Sequence, residues 1–329
     1  MKIDHCLAMA RETTNLPTIS IREFVENAPR SLSIEVISGE QGLDSNHIDS
    51  DRIQKLGLAL AGYAHYIHRG RLQIIGQSET SYLNQLVQEE REAAVKNLEL
   101  GKICCVLVTK GLDIPEVLAD VLEDGGVPLL RTEAVSSVAI AEVSAYLQKR
   151  LAPSITLHGV LLGMYGAGVL LLGESGIGKS ECALDLITRG YRLISDDSVI
   201  IKRIGDTLEG SSPPLTAEHL EIRGLGILNI RDLFGVSATG SSKTIDLCIE
   251  LRRWDKMVDV DRLGLETAEE EIFGIKMPKY VLPVSSGRNL TTLVETAVRI
   301  HLLKAAGHDA ARKLIERHSR AVGGAADDT

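Results

Sequence analysis

Gly173-Glu174-Ser175-Gly176-Ile177-Gly178-Lys179-Ser180 matches the phosphate-binding pattern G-x-x-x-x-G-K-[ST] at every fixed position. The pattern has a mechanism. Its glycines let consecutive backbone N–H groups turn toward one point, its lysine reaches the β- and γ-phosphates, and its serine hydroxyl is placed to ligate Mg²⁺. Eight residues also occur as a glycine-rich turn without a ligand, so the flanks decide. Gly168 to Leu172 is a short apolar run of buried-strand type, and Glu181 to Thr188 continues from Lys179 as a good helix former stopped at Gly190. Strand, loop and helix follow in the required order. The helix N-terminus then adds partial positive charge beneath the phosphates. Polyphosphate is the expected ligand, and Lys179 reads as an exposed loop lysine that carries little packing energy.

Working outward, Ile155 to Tyr165 reads as one long strand that Gly166-Ala167-Gly168 turns back into the strand before the loop, which brings His158 near the loop. A lone histidine in a strand is structural by default; here phosphate binding is the alternative. Tyr191 to Ile194 form a strand that ends in Ser195-Asp196-Asp197. Adjacent acids at a strand end face opposite ways, so one can serve Mg²⁺ and the other the acceptor. Leu220 to Asn229 combines charges with two glycines and reads equally as an active-site loop or a plain hairpin. Cys248 to Leu251 is a strand, Asp261 to Gly264 a turn, and Tyr280 to Val284 a strand broken by Pro283. Ser285 to Asn289 leads into a helix over 291–305. Asp309 to Ser319 reads as a last amphipathic helix, and Gly323 to Thr329 as a tail too small and polar to pack.

Upstream, Ser20 and Glu23 form a capping box that opens a short helix ended by Pro29. Leu32 to Val36 alternates as a strand. Leu72 to Ile75 reads as a strand, Thr80 to Leu98 as one amphipathic helix, Ile103 to Val108 as a buried strand, Pro115 to Glu123 as a helix, Val127 to Leu130 as a strand and Val135 to Leu151 as a long helix. Strand alternating with helix implies an α/β layer with a largely parallel sheet. His65 and His68, three apart, lack a third residue at metal-ligand spacing and read as surface imidazoles. Pro153 and the change to strand-dense sequence set the division: an N-terminal α/β domain over 1–150, a P-loop kinase domain over 151–310, and a helix and tail over 311–329.

The chain has 329 residues, 44% hydrophobic and 25% charged, with a net charge of −9. These are ordinary values for a globular protein, and no apolar run approaches the roughly 20 residues that span a bilayer. The start, Met1-Lys2-Ile3-Asp4-His5, carries no export leader, so a cytoplasmic protein without a membrane partner is expected. The acidic balance argues against nucleic acid. The five cysteines are scattered, without a C-x-x-C pair, and read as reduced thiols.

These residues together resemble the bacterial HPr kinase/phosphorylase family: His158-Gly159-Val160 ahead of the loop, Asp196-Asp197, Leu220 to Asn229, Asp261-Arg262-Leu263-Gly264-Leu265 and Gly287-Arg288-Asn289-Leu290. The resemblance spans nearly the whole chain. It implies a serine of the phosphocarrier HPr as acceptor, ATP or pyrophosphate as donor, Mg²⁺, reversal by phosphorolysis with inorganic phosphate, a role in carbon metabolism, and a homohexamer. Carried over by motif, His158, Lys179, Asp197 and Arg262 are the active-site residues, Gly173 to Ser180 bind the donor, and Ser180 and Glu221 are the Mg²⁺ positions. Asp197 is the expected base that takes the serine proton. This chain departs from the family in having Ser285-Ser286 where many members carry Arg-Pro, in a segment linked with phosphorolysis. The N-terminal domain follows the family by rhythm more than by motif, with a regulatory or assembly role implied. Two other readings use the same loop: a kinase of a small metabolite, and a nucleotide-gated regulator without catalysis.

Overall fold

The structure is a computed structural model that describes residues 17–254, 268–285, 287–309, 313 and 317. The chain divides into two compact units, Thr14–Pro153 and Ser154–Thr329, both of them α/β.

In the first unit, β1 (Ile19–Ser20) leads into α1 (Ile21–Asn27), where the Ser20 hydroxyl accepts the Glu23 amide. There follow β2 (Glu35–Ser38), β3 (His47–Ile48), β4 (Gln54–Lys55), α2 (Gly57–Leu60), β5 (Gln73–Ile75), α3 (Gln77–Gln85), α4 (Gln88–Lys96), β6 (Val106–Val108), α5 (Glu116–Asp124), β7 (Leu129–Arg131) and α6 (Ser136–Arg150). The main sheet has the order β2-β7-β6-β5-β4 and is parallel except at β2. Its inner strands β5, β6 and β7 are largely buried on both faces, which is why they read as mostly apolar runs. Ile75, Val106, Val108 and Leu129 pack toward α2 to α5, whereas Ile74, Leu107 and Leu130 pack toward α1 and α6.

Two expectations fail here. The strand anticipated from Leu32 begins at Glu35, because Arg30–Leu32 close a 3₁₀ turn. The single helix anticipated over 80–98 is two helices, broken at Leu86 and Val87, both of extended backbone. Amphipathic period cannot register such a break when both halves keep their apolar face inward. Arg91 stabilises it by donating from Nε to the Leu83 carbonyl at 2.8 Å and from a terminal nitrogen to the Leu86 carbonyl at 3.1 Å, so carbonyls left without helical partners are satisfied.

The second unit contains β8 (Ser154–His158), β9 (Val160–Met164), β10 (Ala167–Gly173), α7 (Lys179–Thr188), β11 (Arg192–Ser195), β12 (Ser198–Ile204), β13 (Thr207–Ser211), β14 (His219–Ile222), β15 (Gly226–Asn229), α8 (Ile230–Phe234), β16 (Ser242–Thr244), β17 (Leu247–Arg253), β18 (Ala268–Ile272), β19 (Ile275–Val284) and α9 (Leu290–Ala305). A six-stranded sheet has the order β11-β9-β10-β17-β19-β18, with β10, β17 and β19 parallel. A four-stranded antiparallel sheet, β16-β13-β12-β8, covers one face. The alternation of β10 shows the layering. Val169 and Leu171 pack toward α7 and α9, whereas Leu170 and Leu172 pack toward Leu157, Val199 and Ile201 of the second sheet.

The long strand anticipated over Ile155 to Tyr165 is two strands in different sheets, and the switch falls at Gly159. A Cβ there would stand 2.8 Å from the Leu171 carbonyl oxygen, so only glycine lets the chain pass so close to β10. The hairpin between β9 and β10 turns on Tyr165 and Gly166, both with positive φ, one residue earlier than anticipated. Pro283 does not break its strand: β19 runs through to Val284. Pairing of β19 with β17 continues through Pro283 to Val284.

Candidate active site

Strands β10, β17 and β19 run parallel, and β11 runs the same way because it is antiparallel to β9, as is β10. Their carboxyl ends therefore share one edge of the sheet, where α/β proteins bind ligands. That edge carries the loop from Gly173, the Asp196-Asp197 pair after β11, and the segment after β19. Gly173, Gly176 and Gly178 have φ of 150°, 73° and 102°, and Gly178 leads directly into α7. The loop thus turns its amides in a way that side chains at those positions would resist.

Lys179 is buried, 6% exposed, which corrects the reading of it as an exposed loop residue. Its ammonium donates to the Gly173 carbonyl at 2.9 Å and the Glu174 carbonyl at 3.1 Å, and it lies 3.0 Å from His158 Nε2. An ammonium only donates, so Nε2 accepts and the ring proton lies on Nδ1. Nδ1 lies 3.0 Å from Asp197 Oδ1. A line of polar contacts therefore runs from Lys179 through His158 to Asp197. The Asp197 side chain is 70% exposed and stands at the mouth of the site. Its φ of 63° turns it out of line with β11.

Asp196 points the other way, into the protein, and is 5% exposed. Its Oδ1 accepts from Ser180 Oγ at 3.0 Å, and its Oδ2 accepts from the Glu221 amide at 3.2 Å. Burial raises its carboxyl above the ordinary value, an effect that the Glu221 amide and Ser180 hydroxyl offset only in part. Glu221 sits on the β14–β15 hairpin, and its side chain lines the same cleft of about 170 Å³ as His158, Lys179, Ser180, Asp196 and Asp197. The Leu220 to Asn229 stretch is thus a hairpin that reaches the site, so the two sequence readings of it coincide. Ser180, Asp196 and Glu221 offer oxygen donors only, a set that fits a hard cation such as Mg²⁺.

Three cleft residues escaped the sequence reading as individual site residues, among them Glu181 in the first turn of α7. Asp196 was signalled by its neighbour, and Arg223, which lines the cleft, by the charged hairpin that carries it. Glu174 of the loop lies 3.7 Å from Arg253 at the end of β17. Arg288 stacks 4.7 Å over Trp254. Arg262 lies outside the described residues, as do Asp261, Ser286, the Gly323 to Thr329 tail and most of the Asp309 to Ser319 segment.

A family model described as the HPr Serine kinase C-terminal domain matches residues 149–318, and one described as the HPr Serine kinase N terminus matches residues 19–147. The chain belongs to the HPr serine kinase family. Among curated relatives, a protein named HPr kinase/phosphorylase from Geobacter sulfurreducens is 42% identical over 304 residues, which cover 92% of this chain and 95% of that one. One of the same name from Chromobacterium violaceum is 40% identical over 307 residues, 92% of this chain and 96% of that one. Among solved structures, the Hpr(Ser) kinase/phosphatase from Coxiella burnetii is 39% identical, covers 48% of this chain and 97% of its own, and aligns with a TM-score of 0.45. The family matches run through both units, so the kinship is not confined to the phosphate-binding loop.

Proposed function

We propose that this protein phosphorylates a serine of the phosphocarrier HPr at the Lys179 cleft, with ATP or pyrophosphate as donor, and reverses the reaction with inorganic phosphate. The observation that carries the reading is the division of the acid pair. Asp196 is buried against Ser180, while Asp197 is exposed at the mouth and tied through His158 to the loop lysine.

In the forward direction the serine oxygen forms a bond to the terminal phosphorus of the donor, the bond from that phosphorus to the bridging oxygen breaks, and the serine proton passes to Asp197. Such a positioned carboxylate contributes about 10²- to 10⁴-fold. The same group returns the proton when phosphate attacks phosphoserine. Lys179 and the loop amides hold the donor phosphates and stabilise charge on the transferring group, the largest task in phosphoryl transfer. His158 holds Asp197 and Lys179 in place. Arg262 joins them as the second cation. Ser180 and Glu221, with Asp196 beside them, would hold Mg²⁺, which would supply further charge neutralisation at the donor phosphates. The protein acts in the cytoplasm as a homohexamer in the control of carbon metabolism, and its first unit serves regulation or assembly.

Purified protein incubated with HPr and labelled ATP tests this directly. Label should appear on an HPr serine, and should be chased back off by excess inorganic phosphate. Labelling of a sugar or nucleoside with HPr left unmodified overturns the assignment of the acceptor.

A further inference from the structure

A cleft in the first unit has its own chemistry. It has a volume of about 350 Å³, within the range of small-molecule sites, and opens at the carboxyl edge of the parallel strands β4, β5 and β6. Two ammonium groups line it. Lys55 ends β4, and Lys110 follows β6 two residues on. Both are exposed, and neither pairs with a carboxylate among the described residues. Lys110 has φ of 61°, a left-handed conformation that glycine or asparagine would adopt at lower cost. The backbone holds it there through the Lys110 amide on the Ala134 carbonyl and the Gly111 amide on the Thr132 carbonyl, both at 2.9 Å.

Apart from Val135 and Gly76, the remaining lining is polar. Ser78, Ser136 and Ser137 contribute hydroxyls, and Ser136 Oγ is fixed 2.7 Å from the buried Thr109 hydroxyl. Helices α3 and α6 both begin at the cleft, and neither has a side-chain cap on its first amides. Those amides require a partner from outside the helix. Glu79 is the one acid in the lining, and its Oε2 is engaged by the Gly76 amide at 3.0 Å. Two lysines against one glutamate leave the lining with one net positive charge.

We propose that this cleft is a second anion site, separate from the Lys179 cleft, that binds the phosphate group of a small phosphorylated molecule. Lys55 and Lys110 supply the charge, and the serine hydroxyls and uncapped helix amides supply the hydrogen bonds. The proposal does not depend on the reading of the second unit.

The test is equilibrium dialysis of the full-length Lys179→Ala protein against labelled inorganic phosphate, so that binding at the first cleft is weakened. The same measurement is made after adding Lys55→Ala and Lys110→Ala. Both lysines are exposed, so the melting temperature should not change. Phosphate should bind the Lys179→Ala protein and should bind at least tenfold more weakly once the two lysines are gone, as expected for the loss of two charge-assisted contacts. Absence of phosphate binding in the first protein, or equal binding in the two, overturns the proposal. Should the triple variant melt lower, Lys55→Gln with Lys110→Gln replaces it in the same comparison, with the same two outcomes decisive.

Discussion

Replacing Lys179 by alanine separates two quantities that the loop lysine controls. The ammonium makes two hydrogen bonds to the Gly173 and Glu174 carbonyls and lies against His158 Nε2, and the side chain is buried. Hydrogen bonds that involve a charged group contribute about 1.5–3 kcal/mol each, so three give an upper bound near 5–9 kcal/mol. Most of that is offset. Removing the ammonium also removes its desolvation cost, several kcal/mol for a buried ion. The freed carbonyls open onto a cleft of about 170 Å³, where water can reach them. A net loss of about 1–3 kcal/mol remains, or roughly 2–12 °C in the melting temperature of a unit this size. Transfer to HPr should fall much further, by about 10²- to 10³-fold, because the lost charge acts on the transferring phosphoryl group. The assay pairs calorimetric melting with initial rates of serine phosphorylation. A melting temperature equal to the parent's means that the ammonium contacts contribute nothing to stability. A transfer rate near the parent's removes Lys179 from the chemistry.

Two other substitutions probe the acid pair. Asp197→Asn should slow phosphorylation and phosphorolysis by a similar factor of about 10² or more, since both directions cross one transition state, while nucleotide affinity stays near the parent's; unequal loss in the two directions, measured as initial rates, refutes a shared acid and base. Asp196→Asn should abolish Mg²⁺-dependent transfer yet change stability in a pH-dependent way. The folded-state pKa of Asp196 is raised by burial, so its cost to stability is absent below the unfolded carboxyl value of about 3.9, grows as pH rises and is complete above the folded value. The asparagine lacks that cost, and its amide can donate to Ser180 Oγ while its oxygen accepts from the Glu221 amide. In melts from pH 4 to 8, the variant should therefore gain on the parent as pH rises; a variant that loses ground contradicts the burial argument.

What could be read in advance was local. The loop, the strand before it and the helix after it form one mechanism within a short span, and the α/β rhythm of the first unit follows from period and glycine punctuation. Long-range events escaped that reading. The chain changes sheets at Gly159 because the Leu171 carbonyl crowds it, and that contact exists only after β10 has folded back. The break between α3 and α4 rests on Arg91 reaching two carbonyls, which no hydrophobic period encodes. Lys179 looked exposed because the hairpin that brings His158 near the loop does not say that the imidazole closes over the ammonium.

The acid pair lies between these cases, for alternation said that the two side chains would diverge but not which would face inward. Pairing decides it. After β11 ends at Ser195, the Ser198 amide donates to the Asp196 carbonyl at 2.7 Å and the Ser195 hydroxyl to the Ser198 carbonyl at 2.6 Å, which closes a tight turn before β12. Asp197 is the residue that must take the left-handed conformation at that turn, and the Gly159 amide donates to its carbonyl at 3.1 Å. With Asp197 turned outward, Asp196 has only the interior left, and there Ser180 and the Glu221 amide receive it. Glycine would make the same turn with less strain, although aspartate tolerates it better than most residues. A carboxylate at the strained and exposed position, joined to His158, is what a base for an incoming hydroxyl requires, and packing alone gives no reason for it.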